Sequence, residues 1–152
     1  MIGGGRGYSL PGVTIDYVPW REATEADELA RCHVGVMPLV DGPWERGKCG
    51  YKLIQYMAAG RASVASPVGP ARSITVPGQT GFLAECTDEW IEALATLARD
   101  REQARVLGLA ARQRAVATYS LEVNAPKLVA LFKEALAHKP IAQGRPVSTA
   151  AA

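Results

Sequence analysis

Lys48-Cys49-Gly50-Tyr51-Lys52-Leu53-Ile54-Gln55-Tyr56-Met57-Ala58-Ala59-Gly60 runs directly into Arg61-Ala62-Ser63-Val64-Ala65-Ser66-Pro67-Val68-Gly69. The first part reads as a helix that opens on cations and closes at glycine, the second as a short buried strand and a tight turn. Leu53, Ile54, Met57 and Ala58 recur at helical spacing toward a core, which leaves Lys48, Lys52 and Gln55 on another face. This is the layout of an anion-binding site in an α/β protein. A helix N-terminus carries positive partial charge, so each Lys or Arg there costs about 0.3 to 1 kcal/mol. Arg46, Lys48 and Lys52 crowd that end. A phosphate reverses the sign, because unsatisfied N–H groups and the dipole both favour an anion. A solvated basic turn explains the same charges, and charge alone weighs the two readings evenly.

Working outward, 152 residues with 48% hydrophobic content suffice for one domain with a sizeable core. A net charge of +2 is too mild to argue for a nucleic-acid partner. No run approaches a membrane span, and Met1-Ile2-Gly3-Gly4-Gly5 lacks the regions of a signal peptide. The expectation is a soluble, cytoplasmic protein. Cys32, Cys49 and Cys86 fit neither a disulfide framework nor paired zinc ligands, so they read as reduced thiols. His33 and His138 have no partner spacing for a metal or a nucleophile, and no metal is expected.

Along the chain, residues 13–18 are rich in β-branched and aromatic types and predict a strand ended by Pro19. Residues 25–32 predict a helix capped by Thr24, with Ala26, Leu29 and Ala30 on one side. Residues 34–39 follow as a buried strand and 41–47 as a loop. After the basic helix come a strand at 62–65 and a short helix that starts at Pro70 and stops at Pro77-Gly78. Residues 81–84 form a last strand. Thr87, Asp88 and Glu89 open a helix that carries Trp90, Ile91, Leu94 and Leu97 inward. Asp100 with Gln103 caps a second long helix, and Ser120 or Asn124 caps a third, with Pro126 acceptable only in its first turn. The domain ends near residue 138, and 139–152 predict a disordered tail.

Strands alternating with helices predict a parallel sheet covered on both faces, with ligands at the carboxyl ends of the strands. The loop 41–50 and the turn 66–69 each follow a strand, so right-handed crossovers bring both to one rim. Gly3, Gly4, Gly5 and Gly7 do not make a dinucleotide fingerprint. The third glycine would fall at Tyr8 or Arg6, and no helix pattern follows.

From Met1 to about Leu136 the order of segments resembles the C-terminal, donor-binding half of a retaining family 4 glycosyltransferase. The most specific part is 48–69 followed by Gly78-Gln79-Thr80-Gly81-Phe82-Leu83. Met57, Ala58, Gly60, Val64, Ala65, Ser66, Gly69, Thr80 and Gly81 stand where the family pattern expects them. The resemblance implies a Rossmann-like half of a GT-B fold, truncated at its N-terminus and helical toward its C-terminus. It also implies an N-terminal acceptor domain as partner, without which this chain should be inactive.

The family places two glutamates seven residues apart, one beside the donor sugar and one on the ribose. Lys48 and Gln55 occupy those positions here, and the form Gly47-Lys48-Cys49-Gly50-Tyr51-Lys52 resembles a bacterial subset with lysines. Gly50 keeps the glycine whose bare backbone admits the donor. Gln55 offers a ribose diol both donor and acceptor groups, and Lys52 suits a diphosphate.

The donor-binding set is therefore Lys48, Gly50, Tyr51, Lys52 and Gln55, with Arg46, Gly47, Gly69 and Arg72 as further candidates. No catalytic residue is assigned. The implied substrate is a nucleotide-diphosphate sugar, with no cofactor. The acceptor is a saccharide or a lipid-linked saccharide, the latter placing the protein peripherally at the inner membrane face. Trp20 and Trp44 flank the rim as aromatics that stack on a base or cover the core. Two rivals remain: a non-catalytic nucleotide or nucleotide-sugar binding module, and a scaffold domain with a decayed site.

Overall fold

The computed structural model describes residue 7 and residues 9–138. Three strands, β1 (Val34–Met37), β2 (Ala62–Ala65) and β3 (Gly81–Leu83), form a parallel sheet in the order β1-β2-β3. Val36 stands opposite Val64, which in turn stands opposite Phe82. Around the sheet run α1 (Glu22–Arg31), α2 (Pro43–Arg46), α3 (Tyr51–Ala58), α4 (Ala71–Ile74), α5 (Thr87–Arg99), α6 (Arg101–Tyr119) and α7 (Leu121–Ala137).

β2 is buried at every residue because helices cover both of its faces. The two-residue alternation of a strand divides it cleanly. Ala65 joins Leu53, Met57, Ile74 and Ala111 on one face, while Ala62 and Val64 join Ala93, Leu97, Ala104 and Leu107 on the other. Each fully buried Leu, Met or Val here contributes roughly 1.5 to 3 kcal/mol. Asp100 Oδ1 accepts from the Gln103 N–H at 2.8 Å, and Ser120 Oγ from the Val123 N–H at 3.4 Å, as the sequence predicts for the α6 and α7 starts. No helix of the described residues is long and apolar enough to cross a membrane.

Several sequence expectations are corrected. Among the described residues, 13–18 form no continuous strand: Val13 makes an isolated antiparallel bridge with Leu10, and Val18 stands in a second bridge. β-branched side chains favour an extended backbone without setting the length of a ladder. α1 begins at Glu22 with Arg21 at its cap, so Thr24 lies inside it, and of Ala26, Leu29 and Ala30 only Leu29 is buried. Ala58 of α3 is exposed. Among the described residues β1 lies at the edge of the sheet, and its Val36 is 45% exposed. A helical turn, α2, interrupts the expected loop 41–47, started by Pro43 in the position where its missing N–H costs nothing.

The α5 cap is Cys86, and Glu89 Oε2 reaches back to the Glu85 N–H at 2.6 Å. Ala93 and Leu97 of α5 point inward, whereas Ile91 and Leu94 are exposed. α7 runs through Pro126 in its second turn, where the ring withholds the N–H that would bond the Glu122 carbonyl. The glycine-rich start and the tail 139–152 fall outside the described residues.

β1 and β2 are joined beyond their last rungs. The Ser66 N–H donates to the Met37 carbonyl at 3.1 Å, and Ser66 Oγ accepts from the Leu39 N–H at 2.9 Å. With the Met37 carbonyl facing β2, the Val36 carbonyl faces the open edge, where the Tyr56 hydroxyl donates to it at 3.2 Å. Burial pushes the Tyr56 hydroxyl pKa above its ordinary value.

Candidate functional site

Because all three strands run the same way, the segments leaving β1, β2 and β3 emerge on one rim. They enclose a cleft of about 600 Å³ whose lining includes Asp41, Ser66, Val68, Arg72 and Glu85. Parallel sheets bind ligands at this rim, where loops can vary without disturbing the ladder. Two exposed ion pairs stand there. Arg46 grips Asp41 with Nε to Oδ1 at 2.7 Å and Nη2 to Oδ2 at 3.0 Å. Arg72 Nη2 donates to Glu85 Oε1 at 2.9 Å. The Arg46 guanidinium holds the Asp41 carboxyl below the usual aspartate range, and the charge of Arg72 adds to this. Asp41 in turn raises the pKa of Arg46.

Beside the cleft, α3 starts at Gly50, whose backbone is left-handed at φ 70°. Gly50 is buried, and a Cβ there would collide with Ile74 Cδ1 and meet Pro70. Its lack of a side chain is thus explained by packing against α4, which corrects the expectation of a backbone left bare for a ligand. Gly69 makes the matching contact: at φ 54°, a Cβ would lie 2.7 Å from the Arg46 carbonyl oxygen. The turn after β2 therefore rests on the backbone of α2, and Arg46, Gly47, Gly69 and Arg72 converge on one rim.

The remaining predicted residues lie around the α3 start and do not line that cleft. Lys48 precedes the helix instead of opening it, and its Nζ is 3.8 Å from Glu45. Lys52 Nζ donates to Glu25 Oε1 of α1 at 3.1 Å. The Lys52 ammonium holds the Glu25 carboxyl below the ordinary glutamate range, with hydrogen bonds from Gln55 and Trp20 lowering it further. Gln55 Oε1 is buried without a partner. Tyr51, 62% exposed, and Trp44, 80% exposed, stand out from the surface.

Asp41, Glu85 and Glu25 were missed by sequence reasoning, although they neutralise three of the predicted cations. Asp41 stands five residues before Arg46 and was within reach of a spacing argument. Glu85 and Glu25 meet Arg72 and Lys52 only through the fold, across 13 and 27 residues. Among the described residues, no three His, Cys, Asp or Glu side chains gather as a metal-binding group.

Residues 7–100 match the sequence profile of the family described as glycosyl transferases group 1. No curated protein matches the chain. Among solved structures, sucrose-phosphate synthase from Thermosynechococcus elongatus is similar at 26% identity and a TM-score of 0.71, over 80% of this chain and 30% of that one. Anabaena HepE in complex with UDP and glucose is similar at 16% identity and a TM-score of 0.68, over 78% of this chain and 32% of that one. A TarM variant from S. aureus, in complex with fondaparinux, alpha-GlcNAc-glycerol and UDP, gives 20%, 0.59, 77% and 23% on the same measures. The chain spans less than a third of the length of these proteins, and its Rossmann-like fold is shared with GT-B structures.

Proposed function

Because the chain belongs to the group 1 glycosyltransferases, we propose that it holds the nucleotide-sugar donor of an enzyme that transfers the sugar with retention of configuration. The observation that carries this reading is the convergence of Arg46, Gly69 and Arg72 at the carboxyl rim, with the α3 start packed beside it through Gly50 on Pro70 and Ile74. Charge grows on the departing diphosphate as the sugar bond breaks, and prealigned N–H groups and cations stabilise it there. The first N–H groups of Tyr51 and Lys52 are free of intrahelical partners and suit one phosphate. Arg72 and Arg46 suit the other.

Both arginines hold carboxylates in the unliganded chain. Exposed ion pairs contribute little in water, so a dianionic diphosphate can displace Asp41 and Glu85 at small cost. Lys48 and Lys52 supply further positive charge. Gln55, beside Glu25 and Lys52, falls to the ribose hydroxyls, with its unpartnered Oε1 ready to accept after a small rearrangement of the side chain. The acceptor, a saccharide or lipid-linked saccharide, faces the rim from polypeptide beyond this chain. This placement is supported by the chain's coverage of less than a third of its structural relatives.

UDP is the nucleotide in two of the similar structures and is the first to test. Calorimetry of the chain with UDP, ADP and GDP is expected to show saturable heat with one of them. No heat from any of the three overturns the proposal. A nucleotide that binds, joined to absence of sugar transfer or hydrolysis by the full-length protein, favours the binding-module reading. That rival rests on Lys48 and Gln55 standing where the resemblance expects glutamates.

A further inference from the structure

The opposite, amino-terminal rim of the sheet carries a second cavity of about 530 Å³, a volume typical of small-molecule sites. It opens where β1 and β2 begin and where the α5–α6 corner overhangs them. Its floor is apolar, with Val34, Leu94, Leu97 and Ala98. Its polar lining is wholly basic: Arg61, Arg101, Arg105 and His33. Arg105 is already occupied by Glu102 at 2.6 and 2.8 Å.

Arg61 and Arg101 differ from Arg105. Among the described residues neither has a carboxylate within ion-pair distance. Arg61 gives one Nη2 hydrogen to the Ala30 carbonyl at the end of α1, and its Nε is buried without a partner. Arg101 opens α6, at the end where the helix dipole is positive, and its Nη1 lies 3.5 Å from His33 Nε2. Two basic side chains thus line a cavity with an apolar floor, and no Asp or Glu is among its lining residues. A guanidinium with unused donors recognises carboxylate or phosphate oxygens in a paired geometry.

We propose that this pocket binds a small anionic amphiphile, an apolar chain or ring carrying one phosphate or carboxylate, at a site separate from the donor cleft. The head group takes Arg101 and the free donors of Arg61, and the apolar part lies on Leu94, Leu97 and Val34. The inference is independent of the donor reading, since it uses no residue of the carboxyl rim.

The test is calorimetry with octyl phosphate, using octyl glucoside as the uncharged control. Octyl phosphate is expected to bind below about a millimolar, and octyl glucoside at least about tenfold more weakly. Arg101→Glu places an acid at a helix start, where it suits the dipole and the fold should hold. It should weaken octyl phosphate at least about tenfold. Ala98→Trp keeps every charge but fills the cavity, and should weaken it comparably. Circular dichroism checks that both variants are folded. Equal binding by the two detergents, undiminished binding in both folded variants, or competition by UDP overturns the proposal.

Discussion

The two rims of the sheet are built from the same strands but handle charge in opposite ways. At the carboxyl rim the basic side chains around the cleft have acidic partners: Arg46 with Asp41, Arg72 with Glu85, and nearby Lys52 with Glu25. At the amino rim Arg61 and Arg101 have none among the described residues, and only Arg105 is paired. At the paired rim the cations are held in position by exposed carboxylates. The unpaired rim rests on an apolar floor instead, so charge there must be met from outside.

The strongest way to break this contrast is at the seam of the carboxyl rim. Gly69→Val places a branched Cβ at positive φ and against the Arg46 carbonyl. It should cost about 2 to 4 kcal/mol in urea denaturation and abolish nucleotide binding. Octyl phosphate should still bind whatever fraction remains folded. Less drastic, Arg72→Ala should weaken UDP about tenfold in calorimetry by removing one charge-assisted contact. Arg101→Glu should leave UDP affinity unchanged, so the two substitutions separate the rims.

Glu85→Gln sharpens the comparison in the opposite direction. It removes the resident partner and leaves Arg72 free, so UDP should bind about threefold more tightly, with a steeper fall in affinity as salt is raised. An unchanged affinity would show that Arg72 does not reach the nucleotide.

The smallest effect is on pH. Asp41 and Glu25 both have a depressed carboxyl pKa in the folded chain, set chiefly by Arg46 and Lys52. Such groups stabilise fully above their unfolded pKa, ordinarily 3.8 and 4.5, and the contribution is lost as pH falls through the lower folded value. Thermal melts should thus be flat in this respect near neutrality and fall in acid. Asp41→Asn should reduce the acid-side slope slightly, while a neutral substitution at the unpaired amino rim, Arg101→Gln, should not.

What the sequence made legible follows from how local each signal is. β2 and its flanks are legible because a four-residue run of small and apolar side chains, Ala62-Ser63-Val64-Ala65, between Gly60 and Gly69 announces a strand buried on both faces. The α6 start was equally legible, since Asp100 bonds an N–H only three residues ahead. Residues 13–18 carry the side-chain preference of a strand but show only single bridges at Val13 and Val18 among the described residues, because preference sets an extended backbone without setting the length of a ladder. In the site, residue types were readable and their partners were not. Lys52 looked free for a phosphate because Glu25 lies one helix and one strand away in sequence, and Gly50 looked like a window because Ile74 comes 24 residues later.

The bond from the Tyr56 hydroxyl to the Val36 carbonyl bears on how this molecule behaves among others. Among the described residues β1 borders the sheet, and an outward-pointing carbonyl there can accept from any extended peptide seeking a ladder. By occupying that rung, a phenol from the neighbouring helix denies one foothold to a foreign strand. A single side chain thereby ties α3 to the margin of the described sheet.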